Sequence, residues 1–241
     1  MKAFVLVVQA ALSLVLAAQA RADDGALEPF VAEYDVRYGS MSVGSSRTEL
    51  RRGPEAGRWH IESLSEASGL AKLIASGTLS QRSAFELEGG GLRPLTYRFD
   101  DGTRRTGRDV TLEFDWRGAR VRGTAENEAV DLPAPAGLQD AASIQALVML
   151  RLRAGAEPGL VAMIEKDYVK QYRYTLLRRE RLKTALGTLD TVVYRSARDN
   201  SSRETIFWYA PSLGYAMVQA EQRRDGKRAF QTYIRRYDKG A

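Results

Sequence analysis

From residue 30 onward, apolar and polar residues alternate in short runs broken by glycine and Asp/Asn turns. In the first run Phe30, Ala32, Tyr34, Val36 and Tyr38 share one face. A period of two is the mark of a half-buried strand, so Phe30–Tyr38 is predicted as the first. Gly39–Ser42 turns the chain and Val43–Arg52 returns it. A third strand over Arg58–Ala67 puts Trp59 and Ile61 on one face. Gly69–Ile74 reads as a short helical or irregular crossing. Leu79–Leu87 and Leu92–Asp100 follow, joined at Gly89-Gly90-Gly91. Asp101-Gly102 is a hairpin signal leading into the clearest strand, where Val110, Leu112, Phe114 and Trp116 alternate with Thr111, Glu113 and Asp115. Arg117-Gly118 turns it, and Val121 begins the return.

One stretch breaks this rhythm. Pro133 and Pro135 hold the chain extended, and Asp140 then stands where an N-cap belongs, with Ser143 three residues on. Ala141, Ile144, Leu147, Val148, Leu150 and Leu152 cover most of a helical circumference. Arg151 and Arg153 suit the negative end of the helix dipole, and Gly155 stops it. A helix over 140–153 is therefore predicted, buried against something larger. Beyond it the alternation resumes. Leu160–Glu165 is apolar on both faces, as a central strand would be. Tyr168–Arg179, Leu189–Ala197, Glu204–Tyr209, Tyr215–Arg223 and Ala229–Tyr237 continue the series, the last two joined at Asp225-Gly226. Roughly a dozen strands and one central helix imply a mainly β fold: a curved antiparallel sheet or open β-barrel wrapped on the helix.

The first 22 residues are of another kind. Lys2 precedes the apolar run Ala3–Val15, and Ala18-Gln19-Ala20 and Ala20-Arg21-Ala22 are both small-x-small sites. This is the pattern of a signal peptide cleaved near residue 20 or 22, which places the chain in the periplasm, with 23–241 as one β-rich domain. With no cysteine among 241 residues, no disulfide or thiol chemistry is available to an exported chain. The net charge of +6 suits an anionic envelope surface, and the arginine pairs, such as Arg51-Arg52 and Arg235-Arg236, fall near strand ends or turns, where charge guards against edge-to-edge aggregation. Export argues against nucleic acid as a partner.

Candidate chemistry is sparse. His60 is the sole histidine, too little for a usual zinc site, so no metal or cofactor is expected. No serine has the surroundings of a nucleophile elbow, and no catalytic residue is assigned. Glu113 and Asp115 lie two apart on one strand and share a face, the kind of carboxylate pair glycosidases use, although solvated edge charges are the preferred reading, because strand faces of antiparallel sheets often meet water. Trp59, Phe114, Trp116 and Trp208 are candidates to line a cavity for an apolar ligand, or else to fill the core.

The ordered motifs carry a resemblance. Phe30-x-Ala32-x-Tyr34, Gly91-Leu92-Arg93-Pro94, Phe114-Asp115-Trp116, Gln139-Asp140-x-x-Ser143, Leu186-Gly187-Thr188 and Trp208 together resemble a bacterial exported family known only as domain of unknown function 3108. The resemblance implies no catalytic role. Asp140 and Ser143 match its most distinctive motif, and helix capping accounts for both residues. The expectation is a non-enzymatic binding or envelope-maintenance protein, carrying a lipid-like apolar ligand in a barrel cavity. The alternatives are an envelope-glycan hydrolase using Glu113 and Asp115, or a structural protein–protein interaction module.

Overall fold

A computed structural model describes residues 27–69, 72, 77–103 and 106–240. The expected signal segment, most of the 69–74 crossing and Arg104-Arg105 lie outside the described residues. Among the described residues, fourteen strands and one α-helix form in this order: β1 (Phe30–Tyr38), β2 (Met41–Arg52), β3 (Arg58–Ala67), β4 (Thr78–Glu88), β5 (Gly91–Asp100), β6 (Val110–Asp115), β7 (Arg120–Ala125), β8 (Glu128–Pro133), α1 (Ser143–Arg153), β9 (Leu160–Glu165), β10 (Tyr168–Thr184), β11 (Gly187–Ala197), β12 (Arg203–Ala210), β13 (Ala216–Arg224) and β14 (Lys227–Lys239). All strands join one antiparallel sheet in the order β8-β7-β6-β5-β4-β3-β2-β1-β14-β13-β12-β11-β10-β9. It is two hairpin-linked meanders, joined where β1 pairs with β14 from Phe30↔Lys239 to Tyr38↔Phe230.

The mainly β, open-barrel expectation holds, with two corrections. Glu128–Pro133 is a strand of its own, returned by the turn at Glu126 and Asn127, both at positive φ (54° and 68°). Two successive positive φ values suit the twist of a tight hairpin. Leu160–Glu165 was expected to be central and is instead the terminal strand β9. Its exposed edge is covered by the segment leading into the helix: the Gln139 amide donates to Ala162 O at 2.9 Å, and the Ile164 amide donates to Gln139 O at 2.8 Å. The backbone groups of that edge therefore find partners although no full strand lies alongside. Gln139 follows β8 closely in the chain, so the same short segment that leaves one end of the sheet caps the other.

Curvature brings both meanders around α1. Alternation sends Leu50, Ile61, Phe85, Leu112 and Val121 inward, and each is essentially buried. Burying side chains of this size contributes about 1.5–3 kcal/mol apiece, before conformational entropy is subtracted. Close strand packing also dictates Gly123 on β7. A Cβ there would meet Thr111 O at 1.9 Å, and its φ of 153° is one that side-chain-bearing residues rarely adopt.

The helix begins at Ser143, later than the predicted Asp140, because Ala141 and Ala142 form a turn. The capping chemistry expected of Asp140 nonetheless forms. Its Oδ1 accepts from the amides of Ala142 (2.9 Å) and Ser143 (2.7 Å), and Ser143 Oγ accepts from the Asp140 amide at 3.0 Å. At the other end the amides of Gly155 and Ala156 donate to Leu152 O and Arg151 O, with Gly155 at φ 72°. These two bonds satisfy carbonyls that the last turn would leave orphaned.

Candidate functional site

The register of β2, β3 and β4 sets inward-facing residues in rows across the sheet. Ser46, Ser65 and Leu79 make one row, and Thr48, Ser63 and Gln81 the next. Below them come Leu50, Ile61 and Ser83, then Trp59 with Phe85. On β2 and β3 the inner face thus changes from hydroxyl-bearing to apolar at one level, between Thr48 and Leu50 and between Ser63 and Ile61. Below that level the barrel is filled. Above it lies a cavity of about 670 Å³, bounded on its far side by α1 and by the inner face of β10–β14.

The two walls differ in chemistry. On the β2–β3 wall the hydroxyls pair across strands: Ser65 Oγ donates to Ser46 Oγ at 3.0 Å, and Thr48 Oγ1 and Ser63 Oγ are 3.0 Å apart. The opposite wall presents Tyr174, Phe207, Tyr209 and Met217, and α1 contributes Ile144 and Met149. Phe207 stacks on Tyr209 at 5.8 Å and on Tyr174 at 6.2 Å, so the aromatic wall is one continuous surface. Tyr34, at the junction of the walls, donates its hydroxyl to Met217 O at 3.0 Å. Among the described residues, no Asp, Glu, Lys, Arg or His lines the cavity. Tyr172, which lines the cavity, donates its hydroxyl to Glu165, and Glu165 also accepts from Lys170. At the rim, Phe230 and Tyr38 pack ring to ring at 5.1 Å, and both are substantially exposed.

At the boundary between filled and open halves sits a buried polar node. Asp140 Oδ2 accepts from Ser83 Oγ at 2.7 Å, Ser143 Oγ donates to Gln139 Oε1, and Gln139 Nε2 donates to Leu92 O. Gln139, Asp140 and Ser143 have no solvent exposure. Burial pushes the Asp140 carboxyl up to about 6, against the opposing pull of the hydrogen bonds from Ser143, Ser83 and Ala142. The Gln139-Asp140-x-x-Ser143 motif is therefore a structural lock between helix, β4, β5 and β9, and its polar atoms face one another.

None of the four predicted rings lines this cavity. Trp59 shares the inner face of β3 with Ser63 and Ser65 but lies in the filled half, with the Arg52 guanidinium 4.6 Å from its ring centroid. Phe114 is buried and stacks on Trp116 at 5.9 Å. Trp116 reaches a separate hollow of about 520 Å³ at the opposite end of the barrel, beside Gly89–Gly91 and Arg151, and its indole donates to Pro94 O at 2.6 Å. Trp208 has the opposite parity to Phe207 and Tyr209, so it faces away from the cavity and donates to Glu180 Oε1 at 2.6 Å. Size and aromaticity alone did not distinguish core from lining. The residues missed were small hydroxyl side chains, and their signal is the shared level at which serine and threonine give way to leucine and isoleucine.

The remaining candidates lie outside any cleft. Glu113 and Asp115 are exposed on the outer face of β6, opposite the buried Leu112 and Phe114. Asp115 accepts from the Gly118 amide at 2.8 Å and pairs with Arg122 at 3.3 Å, and these contacts hold its carboxyl below the usual range. Neither carboxylate lines either cavity, as a glycan hydrolase would require. His60 is on the outer face of β3, where partial burial and then Arg51 and Arg58 lower its pKa. Asp100, Asp101 and Asp109 bring carboxylate oxygens within 4.8 Å of one another, an acidic trio that the search for His and Cys passed over. Two of them are engaged by the local turn: Asp100 accepts from the Gly102 amide, and Asp101 from the amide and hydroxyl of Thr103.

One solved structure shares the architecture. The chain is similar to a β-barrel-like protein of domain of unknown function DUF1849 from Brucella abortus, with a TM-score of 0.58 at 10% identity, covering 89% of this chain and 98% of that one. It matches more distantly a protein from Parabacteroides distasonis described provisionally as a lipoprotein, with TM-score 0.38, 9% identity, and 88% and 96% coverage. A Bacteroides fragilis protein described provisionally as exported, with a YmcC-like fold, gives TM-score 0.40, 9% identity, and 88% and 97% coverage. No curated protein matches. Residues 33–228 match a single family over most of the chain, the open barrel and the buried Gln139-Asp140-x-x-Ser143 lock included, and the chain belongs to that family, protein of unknown function DUF3108.

Proposed function

We propose that this chain is an exported binding protein of the cell envelope that holds a lipid-like ligand between α1 and the concave face of the sheet. The observation that carries this reading is the cavity of about 670 Å³ whose lining, among the described residues, contains no ionic side chain. Its volume falls within the roughly 300–1,000 Å³ range of ordinary small-ligand sites. Support for export comes from the charged start, apolar run and small-x-small sites of Met1–Ala22. The exposed pair Tyr38 and Phe230 flanks the cavity on β1 and β14, which suits passage of an apolar molecule. Binding is favoured over glycan hydrolysis because Glu113 and Asp115 project from the outer face.

The test is native mass spectrometry of the protein purified from its own envelope, beside a Thr205→Trp variant. Thr205 lines the cavity on β12 and is partly exposed, so an indole there fills the space without displacing the buried core. The wild-type protein is expected to carry a copurifying lipid that the folded variant lacks. A wild-type protein that stays empty and takes up no lipid from vesicles overturns the reading.

A further inference from the structure

We infer that the ligand is an uncharged amphiphile with a hydroxylated head, of the monoacylglycerol class, its head on the β2–β3 hydroxyl wall and its chain against α1 and the aromatic wall. This inference rests on the carrier reading and adds to it the chemistry of the head group.

Ser46, Thr48, Ser63 and Ser65 occupy two adjoining rows of the register, so their hydroxyls form a single patch. A hydroxyl group offers one donor and two acceptors. In each cross-strand pair one donor and one acceptor are used within the pair. Each pair therefore still presents one O–H and several lone pairs to whatever fills the cavity. A purely apolar ligand would strip water from these groups and return nothing, which is costly for buried polar atoms. A carboxylate or phosphate would meet no cation, because among the described residues no Lys, Arg or His reaches the lining. An ion moved out of water without a partner is penalised far more heavily than a neutral hydroxyl. A glycerol head both donates and accepts, and so matches the patch. The opposite side supplies apolar contacts for an acyl chain: Phe207, Tyr209 and Met217 from the sheet and Ile144 and Met149 from α1, with Ser196, Thr205, Gln222 and Thr232 beside them.

The experiment is equilibrium binding of three lipids of one chain length to the full mature chain: a monoacylglycerol, the ionised fatty acid, and the corresponding lysophosphatidylglycerol. The monoacylglycerol is expected to bind about tenfold or more tighter than either anion. The double variant Thr48→Val with Ser63→Ala keeps the wall's volume but removes one hydroxyl pair, and is expected to weaken monoacylglycerol binding about three- to tenfold while leaving the anions unchanged. Circular dichroism checks its fold, and Ser65→Ala provides the milder version should the double variant be unstable. Equal or tighter binding of an anion, or an unaltered preference in the folded variants, overturns the head-group assignment and leaves the carrier reading standing. Failure of all three lipids to bind overturns the carrier reading itself.

Discussion

Asp140 gives the sharpest test of how this fold is held. Its carboxylate is fully buried and serves three donors: the amides of Ala142 and Ser143, and the hydroxyl of Ser83. Asp140→Ala leaves all three without an acceptor. At about 1–3 kcal/mol for each unsatisfied buried group, the loss should reach about 3 kcal/mol or more. Asp140→Asn is different, because its Oδ1 can still accept from both amides and its Nδ2 can donate to Ser83. The pH dependence separates the two further. Burial raises the Asp140 carboxyl from 3.8 to about 6, so the native state holds this proton more tightly than the unfolded chain. The contribution is therefore complete below the unfolded value, declines as pH rises, and is lost once pH has passed the folded value. A shift of this size corresponds to about 3 kcal/mol. Urea denaturation at a series of pH values should show wild-type stability falling relative to Asp140→Asn between pH 3.8 and 6. At neutral pH the Asn variant should be at least as stable as wild type, and the Ala variant well below both. Parallel pH profiles for wild type and Asp140→Asn, or an Asn variant as unstable as the Ala variant, would refute the assignment of a proton-holding lock.

Three other outcomes follow from the packing. Gln139→Leu removes the side-chain bonds to Leu92 O and Ser143 that hold the cap on β9, so hydrogen exchange at the Ile164 amide should accelerate markedly and stability fall by about 2–3 kcal/mol. Gly123→Ala drives a methyl group into Thr111 O and should lower stability by more than about 2 kcal/mol, read as a drop in Tm. Tyr34→Phe removes one buried hydrogen bond to Met217 O and should cost about 1 kcal/mol in urea titration, with the fold unchanged.

Much of this architecture is written in the alternation itself. The runs at Phe30, Arg58 and Val110 alternate because one sheet face is buried, and each became a strand within a residue or two of its expected limits. The helix was legible because its apolar residues cover nearly the whole circumference, which only enclosure inside a barrel satisfies. β8 was hidden by Pro133 and Pro135, which mark an extended edge as readily as a loop. β9 was read as central because it is apolar on both faces, yet Gln139, distant in pattern though close in space, covers its edge. The cavity was least legible. Hydroxyl residues alternating with apolar and charged ones, as in Ser63-Leu64-Ser65-Glu66, give no hint of which face is enclosed. Only the register, which brings four such residues into two adjoining rows, distinguishes an interior hydroxyl patch from a solvated surface.

The pairing of β1 with β14 has a topological consequence. Phe30 and Lys239 are opposite one another in the sheet, so their backbones lie about 5 Å apart. Join these two positions with a tight turn, and open the chain at the exposed residues 135–137. The permuted chain would then run through α1, β9 to β14 and β1 to β8, with every strand beside its immediate successor. The present fold is thus a single fourteen-stranded meander rotated along its own sequence, and its one long-range strand pairing is a product of where the rotation places the ends. A circular permutant of this kind turns that pairing into a local hairpin and lowers the contact order, so it should fold faster than the native order while enclosing the same cavity.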